Sequence, residues 1–118
     1  MTEREMIART KNFALRILKL TDALPKTRSA NAIANQIVRC GTSVAANYRA
    51  LCRAKSRQDF IYKTSLIEEE ADETCFWLEL IADAGFLPAQ RVTALLQEAS
   101  EITAILVATR KTTLKRSG

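Results

Sequence analysis

The sequence predicts an all-α fold, an antiparallel up-down-up-down four-helix bundle. Three observations predict it. Apolar residues recur at i, i+3 and i+4 through four long segments, the period of a helix with one buried face. Only three Gly and two Pro occur among 118 residues, too few for a turn-rich β protein or a disordered chain. The joints between segments are short, which makes consecutive helices antiparallel neighbours. A chain of this length makes one domain, residues 1–118, and buries roughly two thirds of the surface its unfolded form exposes.

The first helix is expected from about Thr2 to Ala23, with Met6, Phe13, Ile17, Leu20 and Leu24 on its buried face. Pro25 ends it, because proline pushes the preceding residue out of the αR region. Thr27 or Ser29 can cap the second helix, expected from about Arg28 to Lys55. There Ile33, Ile37, Cys40, Val44, Tyr48 and Leu51 share one face. Arg28, Asn35, Arg39, Thr42, Ala46, Arg49 and Arg53 occupy the opposite one. Gly41 costs this helix about 1 kcal/mol against Ala. With Ala45 beside it, close approach of another helix is the expected gain.

Ser56-Arg57-Gln58-Asp59 has the form of a capping box, with Asp in the Glu/Gln position. It opens the third helix, about Arg57 to Ala84, whose core stripe is Phe60, Thr64, Ile67, Ala71, Thr74, Leu78 and Ile81. Gly85 suits the C′ position after it. Pro88 falls at the first turn of the fourth helix, where its missing N–H costs nothing. That helix runs to about Leu114, with Val92, Leu95, Leu96, Ala99, Ile102, Thr103 and Leu106 inward. Lys115-Arg116-Ser117-Gly118 are expected to fray.

The third helix carries a second apolar face. Tyr62, Leu66, Phe76, Trp77 and Leu80 gather there, with Glu69 and Glu73 among them. A helix with two apolar faces usually buries both, one in its own bundle and one in a partner. Trp and Tyr are favoured interface anchors. These seven residues are the candidate surface for self-association; the other reading is a skewed bundle that wraps more of this helix.

Histidine is absent, which removes Ser–His and Cys–His dyads and imidazole metal ligands. No Gly-rich phosphate loop or nucleophile elbow occurs. Cys40, Cys52 and Cys75 form no C-x-x-C and read as free thiols of a reducing compartment. Glu68, Asp72, Glu79 and Asp83 form an outward acidic stripe rather than a metal site. No enzyme activity, cofactor, metal or small-molecule substrate is therefore expected. No signal peptide or membrane-length apolar run is visible, so a cytoplasmic protein without a membrane partner is the default.

Net charge is +5, unevenly spread. Residues 1–63 hold 13 Lys/Arg against four Asp/Glu, and residues 64–118 hold five against nine. Such polarity indicates a polyanion partner or two halves that meet. Arg28, Arg39, Arg49, Arg53, Lys55 and Arg57 are the candidate nucleic-acid contacts, since arginine suits bidentate phosphate binding. Helix 1 adds Arg4, Arg9, Lys11, Arg16 and Lys19.

The run Ile37-Val38-Arg39-Cys40-Gly41-Thr42-Ser43-Val44-Ala45-Ala46-Asn47-Tyr48-Arg49-Ala50 resembles the helix 2 signature of a bacterial four-helix-bundle family. Its members were first recognised as proteins encoded by intervening sequences in 23S ribosomal RNA genes. Asp59-Phe60 and the stretch from Glu68 to Trp77-Leu78-Glu79-Leu80 are similar to the family's helix 3. Many members carry Glu-Gly two residues after the Asn, where this chain has Arg49-Ala50. The resemblance implies an up-down bundle that forms a ring-like homopentamer. A distantly similar bundle, the accessory protein of diversity-generating retroelements, forms a basic pentamer that contacts nucleic acid. Ser43 and Asn47 fit the motif; bordering the apolar face, they are read as hydrogen-bonding a neighbouring helix or subunit.

Two functions follow as alternatives. One is a non-enzymatic, RNA- or DNA-associated oligomer that binds through the second-helix arginines. The other is a scaffold ring without nucleic acid, in which those arginines pair with Glu68, Asp72, Glu79 or Asp83. Triple substitution of Arg39, Arg49 and Arg53 separates them, weakening binding in the first case and assembly in the second.

Overall fold

A computed structural model of the chain describes residues 1–116. Four helices follow in order: α1, Glu3–Asp22; α2, Arg28–Leu51; α3, Arg57–Asp83; and α4, Ala89–Lys115. No strand occurs among the described residues. The helices share one hydrophobic core in a body of 51 × 21 × 20 Å.

Local chemistry sets each boundary. Thr2 and Glu5 form a reciprocal capping box: the Glu5 N–H donates to Thr2 Oγ1 at 3.1 Å, and the Thr2 N–H to Glu5 Oε1 at 3.0 Å. Thr27 caps α2 by accepting from the Ala30 N–H at 3.2 Å. Ser56 caps α3 by accepting from the Asp59 N–H at 3.0 Å. The box expected there is not reciprocal. Asp59, one methylene shorter than Glu, accepts from the Lys55 N–H rather than from Ser56. After α3, Gly85 takes φ +73°. The Phe86 N–H bonds the Ile81 carbonyl and the Gly85 N–H that of Ala82, the Schellman arrangement.

Three boundaries differ from expectation. α2 stops at Leu51 rather than Lys55, because the Arg53 and Ala54 N–H groups tighten onto the Ala50 and Leu51 carbonyls three residues back. Arg53 and Lys55 therefore lie in the connection to α3. Pro88 is the N-cap of α4, one position before its first turn. Of the residues expected to fray, Lys115 is helical and Arg116 is the C-cap, while Ser117 and Gly118 lie outside the described residues.

Phe13, Ile17, Ile37, Val44, Ile67, Leu78, Ile81, Ile102 and Leu106 fill the core. Thr10, Thr64 and Thr74 are buried with them, each hydroxyl donating to the carbonyl four residues back at 2.7–2.9 Å. That internal bond removes the cost of burying them. Leu96, Thr103 and Phe60, expected inward, are only half-buried. α4 is long and apolar enough, by length and composition, to cross a membrane, with a mean hydropathy of 1.3 over an 18-residue window. No apolar run of that length was expected. Its Val92, Leu95, Ala99, Ile102 and Leu106 lie in the shared core.

Candidate nucleic-acid interface

The second-helix cations do not form one stripe. Arg28 lies in the first turn of α2, 21 residues before Arg49, about 32 Å away at helical rise. Arg39 is engaged, its guanidinium donating to Glu70 at 3.3 Å and to Glu73. Arg57 donates from Nε and Nη2 to the Thr113 and Leu114 carbonyls at 3.3 and 3.5 Å. There it adds a charged donor to carbonyls of the last turn of α4.

Arg49 and Arg53 are different. Both are exposed, and neither forms an ion pair among the described residues. With Lys11 of α1 they line an open groove of about 830 Å³. Its α2 wall is small (Thr42, Ala45 and Ala46), so the long cations stand at its rim. Lys55 is exposed beside them in the connection.

The acidic residues find partners other than the expected ones. Glu68 takes Arg110 at 2.8 and 3.2 Å, and Asp72, Glu79 and Asp83 are exposed without an ion pair among the described residues. Arg39 meets Glu70 and Glu73 because those two face the α2 side of α3. Arg9 closes the slight α1–α4 seam, reaching Glu98 in two bonds of 2.7 Å and Glu101 at 2.8 Å. This pairing raises the Arg9 pKa and holds the Glu98 carboxyl below its usual range. Nothing in the local sequence announced it.

Along the second face of α3, Tyr62 and Phe76 are 62% and 53% exposed. Glu69 is exposed and Leu66 half-buried, while Trp77 and Leu80 pack partly on the core. Trp77 Nε1–H donates to Glu73 at 3.1 Å, and its ring meets Phe76 edge-on at 4.9 Å. Bonds from Trp77, then Arg39, hold the Glu73 carboxyl below its ordinary range. Leu15 and Leu18 of α1, 55% and 40% exposed, form a further apolar spot that the helical periodicity did not mark.

The motif residues act inside the chain. A Cβ on Gly41 would stand 3.0 Å from both Cγ atoms of Ile17. Ser43 Oγ donates to the Arg39 carbonyl of its own helix at 2.7 Å, not to a neighbour as expected, since a serine in a helix reaches back four residues readily. Asn47 is half-buried beside it.

Burial raises the pKa of Cys40, Cys52 and Cys75, and pushes the Tyr48 phenol up to about 12. All three thiols are free and stay protonated near neutral pH, the unreactive form. Among the described residues no three His, Cys, Asp or Glu side chains gather as metal ligands.

The fold and the motif both have counterparts in known proteins. The model of the 23S rRNA-intervening sequence protein family matches residues 2–108. A crystal structure from Bacteroides thetaiotaomicron, described as a protein of unknown function from the S23 ribosomal protein family, superposes with a TM-score of 0.84. It is 32% identical, and the match covers 90% of this chain and 98% of that one. No curated protein matches the sequence. With the family model matching residues 2–108 and a similar fold over nearly the full length, the chain belongs to the 23S rRNA-intervening sequence protein family.

Proposed function

We propose that this protein is a non-enzymatic, cytoplasmic, nucleic-acid-associated assembly of identical subunits. The observation that carries this is the pair Arg49 and Arg53, exposed, in no ion pair among the described residues, and lining the α1–α2 groove with Lys11 and Glu3. Such side chains are positioned for phosphate oxygens, and their contacts carry no base information. The absence of histidine and the protonated thiols, Cys40 buried and Cys52 and Cys75 half-buried, support a role without catalysis.

The subunit is an up-down-up-down antiparallel bundle. Supporting it are the packing of Ile17 on Gly41 and the bonds from Arg57 to the last carbonyls of α4. Subunits assemble as a ring, most simply of five, through Tyr62, Leu66, Glu69, Phe76 and their neighbours on α3. Exposed aromatics over a half-buried Trp77 support this surface. Tyr62→Ser/Phe76→Ser should reduce the solution mass to a single chain; a parent that is already a single chain removes the ring.

Binding of nuclease-treated protein to RNA and DNA at two salt concentrations tests the main reading. Parent binding should fall steeply with salt, and Arg49→Ala/Arg53→Ala at unchanged mass should weaken it about tenfold. Absence of binding at low salt rejects it in favour of the scaffold reading. That second reading draws on Arg39, whose pairing with Glu70 and Glu73 holds α2 to α3.

A further inference from the structure

Seven cations that form no ion pair among the described residues stand at one end of the long body. The first turn of α1, the end of α2, the start of α3 and the end of α4 meet there. One cavity is lined by Met1, Glu3, Tyr48, Cys52, Phe60 and Thr109 from all four helices. An adjacent groove carries Met1 and Phe60 on to Thr112, Thr113 and Arg116. The α1–α2 groove carries Glu3 and Cys52 on to Arg53 and Arg49. Arg57 fastens α3 to the Thr113 and Leu114 carbonyls. Around this end stand Arg4, Arg49, Arg53, Lys55, Lys111, Lys115 and Arg116, all exposed and none in an ion pair among the described residues, with only Glu3 and Glu5 of the first turn of α1 as exposed acids among them.

The opposite end is nearly balanced. Lys19, Lys26, Arg28 and Arg91 share it with Asp22, Glu79 and Asp83. The uneven charge of the sequence thus becomes a difference between two ends about 50 Å apart. The last turn of α4, which belongs to the acidic half of the sequence, joins the basic end.

We infer that this whole end, including Lys111, Lys115 and Arg116 of α4, is the surface that meets a nucleic-acid backbone, with the α1–α2 groove as its edge. This deepens the proposed function and rests on it. The dimensions fit. The body is about 20 Å across, and one strand presents a phosphate every 3.4 Å, so the end faces about six phosphates. Seven cations stand there to meet them. The partner is the sugar–phosphate backbone of a duplex or structured strand, held without base selectivity. Among the described residues Tyr62, in the second turn of α3, is the one large aromatic side chain exposed near this end, Phe60 being half-buried, and a single ring makes no platform for stacking successive single-stranded bases.

The experiment compares parent, Arg49→Ala/Arg53→Ala and Lys111→Gln/Lys115→Gln/Arg116→Gln on one labelled 24-base-pair RNA duplex across a salt series. Helicity and mass are checked first. Both variants should weaken binding at least about tenfold at low salt and flatten its salt dependence, by about 0.9 for each phosphate that is no longer neutralised. If only the Arg49/Arg53 variant weakens, the groove binds alone: the end-surface inference is overturned and the proposed function stands. If the parent does not bind, both fall together. Should the triple variant lose helicity, Lys111→Gln and Lys115→Gln singly give the same comparison. Each should flatten the salt slope by about 0.9, and an unchanged slope in both overturns the inference.

Discussion

Gly41 is the point where α2 has no side chain, so that Ile17 of α1 lies directly against its backbone. A methyl group there would meet Cγ1 and Cγ2 of Ile17 at 3.0 Å, and Ile17 is fully buried and β-branched, with little room to turn. Gly41→Ala gains about 1 kcal/mol of helix propensity and loses about 1–3 kcal/mol to overpacking. We expect net destabilisation of about 1 kcal/mol in urea unfolding. The same substitution should be nearly neutral or stabilising in an Ile17→Ala background, which removes both clashing atoms. Ile17→Val should not rescue, because it keeps them. The sequence indicated a close approach at Gly41 from composition alone. It could not say which residue approaches, since that depends on how α1 is rotated about its axis.

Of the helix pairs that touch, α1 and α4 meet least, and Arg9 with Glu98 and Glu101 supplies their polar fastening. Because the folded Glu98 carboxyl is held below its ordinary pKa, its contribution is present above the unfolded value, near pH 4.3, and is lost as pH falls through the lowered folded one. Acid should therefore loosen this seam. Arg9→Met should lower stability at pH 7 by about 1 kcal/mol, a partly solvated network being worth no more. It should also flatten the loss between pH 5 and 3 followed by thermal unfolding at each pH; a parallel decline in both proteins removes Glu98 as the cause. The starts of α2 and α3 and the end of α3 were legible, whereas the end of α2 falls four residues short of expectation. Thr27, Ser56, Gly85 and Pro88 are punctuation whose chemistry acts within four residues. The Arg9–Glu98 pair, 89 residues apart, was not legible. Nor was the partner of Arg39: Glu68 and Glu70 are two residues apart but about 200° apart around α3, and only helix packing decides between them. At the other end of that element, Ser56→Ala should cost about 1 kcal/mol by removing the cap of α3, measured by chemical unfolding.

At the scale of the whole molecule, the basic and acidic halves of the sequence pair, among the described residues, only through Arg9 and Arg39. Four ion-pair groups join helices or turns, while the cations at the end of α2 and α4 stay without acidic partners. The fold class could be read from period and joint length, because burying four apolar faces in a short chain leaves few arrangements. The location of the charged surface could not. It depends on Lys111, Lys115 and Arg116 arriving beside Arg53, which is a property of the folded chain and not of any segment. Reversing Lys111 and Lys115 to Glu should leave the far-UV spectrum unchanged and abolish retention on immobilised duplex at low salt. Retention equal to the parent would count against any role for that end.

Charge segregation along a rod has a further consequence for assembly. Rotation about a single axis brings the same end of every subunit onto one circle, so a closed ring crowds its most cationic regions together. Repulsion among them opposes closure, and counter-ions relieve it. A polyanion lying on that circle acts as a shared counter-ion, so occupancy and closure reinforce one another. Assembly of the purified protein should then tighten when either salt or a short duplex is added, the duplex acting at far lower concentration.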